Sequence, residues 1–200
     1  MGRPSNAPLR RQQIIEATVR VMARTGFDGA STSAIAKEAG LSAGLVHHHF
    51  GSKAEVLQAL PGHLEALVDA RYQALAARRR GALGRLEAWV DAHLAHGDDA
   101  QPEAAAAWVW LGAQALKDEG LRTRYQAVVR RRLEALAGLI EDASADAPTR
   151  IDARALAVST LATIEGYFQL ASSTDVVPQG SAAAAVGRSL RQLLGGRARR

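Results

Sequence analysis

The sequence has no cysteine among its 200 residues. Disulfides, thiolate nucleophiles and thiolate metal ligands are therefore excluded, and nothing indicates an oxidising compartment. No apolar run approaches the roughly 18 residues of a membrane span, and the opening MGRPSNAPLRRQQ lacks the apolar centre of a secretory signal. We therefore expect a cytoplasmic protein that does not associate with a membrane.

Aromatic residues are scarce, whereas alanine and leucine alternate with arginine and glutamate along most of the chain. These residue types have high helix propensity, so the composition favours helix over strand. The length fits one large or two small domains of roughly 100–200 residues each. The sequence therefore predicts an all-α protein of about nine helices.

Charge is distributed unevenly along the chain. Residues 1–60 carry 7 basic and 4 acidic side chains, residues 61–187 carry 13 and 16, and residues 188–200 carry five arginines and no acid. Such asymmetry indicates that one end of the chain meets a polyanion and the middle does not.

Two short helices are predicted after a longer first helix over residues 9–25. Ser31 is a candidate N-cap for the first, which ends at Gly40, and Ser42 is a candidate N-cap for the second, AGLVHHHF. A short turn containing glycine between two such helices is typical of the helix-turn-helix motif. We expect a small core made of the motif's apolar residues, namely Ile35, Ala36, Ala39, Leu41, Val46 and Phe50.

A capping box formed by Ser52 and Glu55 begins the fourth helix. Pro61 and Gly62 follow, and a proline inside a helix removes a hydrogen bond at a cost of about 3 kcal/mol. We therefore expect two helical pieces, 52–60 and 62–79, joined by a bend.

The stretch GFDGASTSAIAKEAGLSAGLVHHHFGSKAEVL closely resembles the DNA-binding domain of TetR-type transcriptional regulators, and the match covers residues 9–60 without a gap. The rest of the chain resembles the choline-responsive, betaine-type repressors through AAAWVWLGAQAL near residues 104–116, RYQAVVRRRLEAL, and IEGYFQLASS at 164–173. This resemblance implies an N-terminal three-helix helix-turn-helix domain and a larger C-terminal helical domain.

We accordingly divide the chain into an N-terminal arm (1–8), a helix-turn-helix domain (9–52), a ligand-binding and dimerisation domain (53–195) and a basic tail (196–200). Arg3 in the arm is a candidate for minor-groove insertion, with a plain disordered tail as the alternative.

The resemblance implies a ligand-responsive DNA-binding regulator, more readily a repressor than an activator. It would bind a near-palindromic operator as a homodimer and be released by a small-molecule inducer. An activator of the same fold and a nonspecific DNA-binding protein are the alternatives. No nucleophile elbow, phosphate-binding glycine loop or nucleotide fingerprint occurs, so we expect neither catalysis nor a cofactor.

Candidate DNA contacts fall into two groups. Arg10, Arg11 and Lys53 carry charge that neutralises phosphates. The resemblance implies that Ser31 and Thr32 hydrogen-bond to DNA phosphates and that Ser33 faces the edges of bases. On the second short helix it places Ala43, Gly44, Leu45 and His48 toward the major groove, and His47 and His49 toward the backbone, with Ser42 at its start.

Two positions depart from the family pattern, which often has arginine at the position of Ser33 and tyrosine at that of His47. Because Ala43 and Gly44 offer no side-chain hydrogen bonds either, we expect base readout to depend on His48, on methyl contacts and on DNA shape. Adjacent histidines on a helix point about 100° apart, which argues against a metal site. Protonation beside phosphate predicts operator affinity that rises as the pH falls below about 7.

The aromatic residues of the C-terminal part are candidate ligand contacts that, with Glu165, form a cage for a cation. They are Trp89, Trp108, Trp110, Tyr125, Tyr167 and Phe168; ordinary core packing is the alternative. Glu165 lies in an apolar helix, where an unpaired carboxylate is costly. We expect it to meet a partner across a dimer or a ligand, and the run Arg130–Arg132 to be solvated.

A helix over residues 151–171 is apolar nearly all round, and a helix over 182–194 carries small side chains. A helix of that kind needs cover on more than one face, so we predict a two-fold four-helix interface between subunits. Packing within one subunit is the alternative. The candidate interface residues are Leu161, Phe168, Ala182, Ala185, Val186, Leu190 and Leu193.

Overall fold

The computed structural model describes residues 6–94, 101–145, 150–178 and 180–194. These residues form nine α-helices and no strand, which confirms the all-α prediction. The helices are α1 (Ala7–Gly29), α2 (Thr32–Ala39), α3 (Ala43–His49), α4 (Lys53–Ala76), α5 (Gly81–His93), α6 (Pro102–Gln114), α7 (Glu119–Ser144), α8 (Ala153–Ser173) and α9 (Ala182–Leu194). None of the helices in this part of the chain is both long and apolar enough to cross a bilayer.

The chain divides into two compact units. Unit 1 comprises Met1–Leu64 and Pro102–Gln126, and unit 2 comprises Glu65–Gln101 and Ala127–Arg200. Helix α6 therefore belongs to the same unit as the first three helices, and α4 and α7 contribute residues to both units. Residues 1–5 of the predicted arm and the basic tail at 196–200 lie outside the described residues.

The core of unit 1 is formed by side chains of the first four helices. Ile14, Ile35 and Phe50 are almost completely buried, together with Ala36, Ala39 and Val46. Leu41 is partly buried against them. These residues include all six that the sequence predicts for the motif's small core.

Caps fix the two short helices. The Ser31 hydroxyl accepts a hydrogen bond from the Ala34 amide at 3.1 Å, and the Ser42 hydroxyl accepts one from the Leu45 amide at 3.2 Å. Gly40 takes φ +65°, a conformation that costs glycine little because it has no Cβ. Both predicted N-caps and the glycine turn are therefore present.

Helix α1 is interrupted near its end. Gly26, where the sequence predicts the stop, has φ +70°, and a further helical stretch continues to Gly29. Helix α6 packs against α1 here, and a Cβ added to Gly26 would lie 3.1 Å from the Trp110 ring.

The predicted break at Pro61 is wrong, because α4 continues from Lys53 to Ala76 with Pro61 inside it. Proline removes the bond to the Leu57 carbonyl, and its ring crowds that carbonyl. Leu57, Leu60 and Leu64 beside it are 3%, 0% and 3% exposed, and we attribute the continuity of the helix to this burial.

The core of unit 2 is built from α5, α7, α8 and α9. Leu86, Leu136, Ile140 and Ile164 are completely buried, with Val186 and Leu190 of α9 against them. The Tyr167 hydroxyl donates to the Pro178 carbonyl at 2.8 Å and accepts from the Ser181 amide at 3.1 Å. This side chain therefore fastens the segment before α9 to α8.

Candidate DNA interface and polar cluster

The outward side of α3 and its cap carry five exposed residues, which we call the recognition face: Ser42, Ala43, Gly44, His47 and His48. Leu45 and His49 are partly buried, and Val46 points into the core at 2% exposure. The alternation follows from helical spacing, since Val46 is the residue that α3 contributes to the unit 1 core. Side chains without bulk or charge therefore occupy the first turn and imidazoles occupy the last.

The start of α2 offers a second exposed edge. Ser31 and Ser33 are exposed and Thr32 is partly buried. The Ser31 hydroxyl is already engaged as the helix cap, but it keeps capacity for a further hydrogen bond. Backbone amides at the starts of helices attract anions, so this edge suits a phosphate.

The three cations assigned to phosphate also contact the protein. Arg11 Nη1 donates to the His49 carbonyl, and its guanidinium carbon lies 3.9 Å from the centre of the Phe50 ring. Lys53 Nζ donates to the Phe27 carbonyl at 2.7 Å. Arg10 Nη1 donates to Gln13 Oε1 of its own helix at 2.8 Å. The sequence contained no signal for the contacts of Arg11 and Lys53, because they join residues far apart in the chain.

Two salt bridges to one carboxylate hold α2 against α1. Glu38 accepts from Arg20 Nε at 2.7 Å and also pairs with Arg24. Hydrogen bonds from these two arginines lower the pKa of Glu38. Salt bridges therefore join α1 to α2, in addition to the apolar contacts of the unit 1 core.

In unit 2 a second site candidate forms around Arg132. Its Nε donates to Glu65 Oε2 at 2.7 Å, and its Nη1 lies 3.7 Å from Glu165 Oε1. The predicted solvation of Arg132 is wrong, since its side chain is 3% exposed. Glu165 therefore has an oppositely charged neighbour in its own chain, and its contact with a dimer partner or a ligand stays a prediction. The sequence did not indicate that Glu65 pairs with Arg132, because the two residues are 67 positions apart.

His93 of α5 completes this polar cluster, which we define as Glu65, His93, Arg132 and Glu165. Its Nδ1 lies 2.9 Å from the Trp89 carbonyl, and its ring lies 3.7 Å from the Trp89 ring. Nε2 is buried and has no hydrogen-bond partner among the described residues. Burial lowers the pKa of His93 to about 3, and the nearby Arg132 guanidinium acts in the same direction.

The candidate ligand contacts are divided between the units. Trp108 and Tyr125 stack at 4.5 Å in unit 1, where Trp110 is 41% exposed. Trp89, Glu165, Tyr167 and Phe168 belong to unit 2. Within unit 2 the rings of Tyr167 and Phe168 lie 6.3 Å apart.

The candidate dimer residues have unequal exposure. Leu161, Val186 and Leu190 are buried in the core of unit 2. Phe168 and Ala182 are partly buried, whereas Ala185 is exposed and Leu193 is 59% exposed. Val158 and Leu170 of α8, which the sequence-based set omits, are 48% and 50% exposed.

Two short capped helices joined by a glycine turn, supported by a longer helix and exposing one face of the second, define a helix-turn-helix DNA-binding protein.

Comparison with known proteins agrees with this class. Residues 14–60 match the model of the bacterial regulatory proteins of the tetR family, and residues 82–195 match the C-terminal domain of BetI-type transcriptional repressors. The chain is 34% identical over 179 residues to the HTH-type transcriptional regulator BetI of Agrobacterium fabrum, covering 88% of this chain and 83% of that protein. It is 37% identical over 128 residues to BetI of Burkholderia ambifaria, covering 62% and 64% of the two chains.

Solved structures show the same fold. A transcriptional regulator from Rhodococcus sp. Rha1 superposes with a TM-score of 0.78 at 24% identity, covering 93% of this chain and 96% of that one. A regulator from Saccharomonospora viridis, solved in complex with choline, superposes with a TM-score of 0.77 at 22% identity, covering 95% and 97%.

The chain belongs to the TetR family of bacterial regulatory proteins and has a BetI-type C-terminal domain. It is a DNA-binding transcriptional regulator, and its relatives are regulators rather than enzymes.

Proposed function

We propose that the protein is a repressor that binds a near-palindromic operator as a homodimer and leaves it when a small organic cation binds unit 2. The observation that carries the DNA-binding part is the recognition face, an exposed side of α3 whose cap and buried Val46 fix its orientation. Two such helices related by a two-fold axis enter successive major grooves roughly 34–36 Å apart.

The exposed sides of α8 and α9 support the dimer. Ala155, Val158, Ala162, Gly166 and Leu170 are exposed at spacings of three or four residues, so they share one face of α8. Exposed Ala185 and Leu193 lie on α9. Large exposed apolar residues together with small ones suit close packing of helices from two subunits.

Replacing Leu170 with glutamate tests this interface. We expect a monomer by light scattering and weak operator binding, because a carboxylate buried between subunits is costly. The matched control is Leu116→Glu, since Leu116 is 76% exposed but lies outside α8 and α9. A Leu170→Glu protein that stays dimeric contradicts the interface.

Glu165 supports a cationic effector. It is the more exposed carboxylate of the polar cluster, at 29%. Its negative charge attracts an organic cation electrostatically. The choline bound to the Saccharomonospora viridis regulator belongs to this chemical class.

Calorimetry with choline and tetramethylammonium tests the effector. We expect binding by the parent and a loss of about tenfold or more in Glu165→Gln, because removing a charge partner costs at least about 1.4 kcal/mol. Glu141→Gln, an exposed change on α7, serves as the control. No binding of either cation by the parent contradicts this part of the proposal.

A gel shift with DNA from upstream of the protein's own gene tests the function as a whole. We expect a discrete complex that dissociates on addition of the effector. A complex that forms equally on unrelated DNA favours the alternative of a nonspecific DNA-binding protein. The exposed arginines of α9 could bind phosphates in that case, because such contacts do not depend on sequence.

A further inference from the structure

We propose that Arg11 is a positioning residue for sequence readout, which fixes the end of α3 that carries the histidines. Arg11 Nη1 donates to the carbonyl of His49, the last residue of α3. The same guanidinium lies over the Phe50 ring at 3.9 Å, and that ring is 1% exposed. Arg11 thus contacts both the last helical carbonyl and the buried residue that follows it.

Helix α3 requires such a contact because it is only seven residues long. Helices shorter than about 12 residues are marginal on their own, so tertiary contacts decide their position. The Ser42 cap fixes the first turn. At the other end the last carbonyls have no partner within the helix, and a cation there is favourable to the helix dipole.

Gln13 performs the matching role for α2. Its Nε2 donates to the carbonyl of Ala39, the last residue of α2, at 2.6 Å. Two side chains from the first turns of α1 therefore bind the C-terminal carbonyls of both short helices. This repeated arrangement favours a role for Arg11 in the geometry of the motif over a role in neutralising phosphate.

The consequence concerns specificity. His47 and His48 stand on the turn that ends at the bonded carbonyl, so a displaced α3 end moves these imidazoles. Hydrogen bonds to base edges depend strongly on position, whereas attraction to phosphate is long-range and tolerant. Loss of Arg11 should therefore weaken binding to the operator and leave binding to unrelated DNA unchanged.

A phosphate contact predicts the opposite pattern. Each phosphate that a cation neutralises contributes about −0.9 to the slope of log affinity against log salt. Losing it lowers operator and nonspecific affinity together and makes the slope shallower by about 0.9. Lysine at the same position would restore such a contact, but it lacks the planar group that stacks on Phe50.

The test measures affinity for the operator fragment and for unrelated DNA across a salt series in Arg11→Gln, Arg11→Lys and the control Arg124→Gln. We expect both Arg11 variants to lose about tenfold for the operator alone, with the parent's salt slope, since one good base contact is worth about that factor. Arg124 is exposed on α7, away from the motif, so Arg124→Gln should bind both DNAs as the parent does.

Three outcomes of the binding measurements overturn the proposal: a parallel loss on both DNAs with a shallower slope, recovery of operator affinity in Arg11→Lys, or an operator affinity equal to that of the parent. Loss of helical circular dichroism in both Arg11 variants also overturns it, because Arg11 would then serve the fold rather than readout. The inference depends on the sequence-specific binding proposed above. A parent protein without preference for any DNA rejects that function, whereas a specific parent with unaffected variants rejects only the role of Arg11.

Discussion

Arg132 and Glu65 form a buried ion pair inside unit 2, with Nε and Oε2 2.7 Å apart and side chains 3% and 10% exposed. The pair joins α7 to the second half of α4. A buried charge that loses its partner is strongly destabilising, even where the intact pair adds little net stability.

Replacing Glu65 with glutamine should therefore lower the free energy of unfolding by about 3–5 kcal/mol, which urea denaturation measures. The control is Arg85→Met, which breaks the exposed Arg85–Asp142 pair at 3.3 Å. Exposed pairs contribute about 0–1 kcal/mol, so the control should change little. Equal losses of unfolding free energy in the two variants would show that water reaches the Arg132 side chain.

Stability should depend on pH through His93. Its folded-state pKa is depressed to about 3 from 6.5, so the unfolded chain binds a proton that the folded chain excludes. Stability is therefore full above pH 6.5 and is lost as the pH falls, by about 1.4 kcal/mol per unit. Between about pH 7.5 and pH 5 the loss is about 2 kcal/mol.

The variant His93→Phe keeps a ring against Trp89 and carries no proton. Between about pH 7.5 and pH 5, its free energy of unfolding should fall by about 2 kcal/mol less than that of the parent. The control is His48→Phe at an exposed position, which should keep the pH dependence of the parent. His63, half-buried with its pKa lowered by burial, contributes in the same direction and is retained in both proteins. An unchanged pH dependence in His93→Phe would mean that His93 is hydrated.

Gly26 should not tolerate alanine. Its φ of +70° strains any residue with a Cβ, and the added atom would lie 3.1 Å from Trp110. We expect a loss of about 1–3 kcal/mol in Gly26→Ala. In contrast, Gly138→Ala on α7 has nothing within 4 Å and should gain about 0.5–1 kcal/mol. A neutral Gly26→Ala would contradict the close packing of α1 on Trp110.

Local patterns in the sequence predicted much of unit 1. The caps at Ser31 and Ser42 and the turn at Gly40 are decided by residues within a few positions, and the structure contains all three. The Pro61 break failed because a local rule was overridden by buried leucines on either side.

Local sequence patterns could not predict contacts between residues that are far apart in the chain. Arg132 stands in a run of three arginines, and only its position on the inner side of α7 separates it from exposed Arg130 and Arg131. Its pairing with Glu65 and Glu165 depends on how α4, α7 and α8 pack. The same applies to Arg11, whose charge indicated DNA and whose observed contacts are with α3 and Phe50.

The central claim is that the recognition face reads DNA, and a competition between operator and bulk DNA tests it most directly. The parent should prefer the operator by about 10³ or more, and Ala43→Glu should abolish the complex by placing a carboxylate against the groove. Ala135→Glu, exposed on α7, should bind as the parent does. A parent ratio near one, or an Ala43→Glu protein that binds the operator normally, would contradict the account.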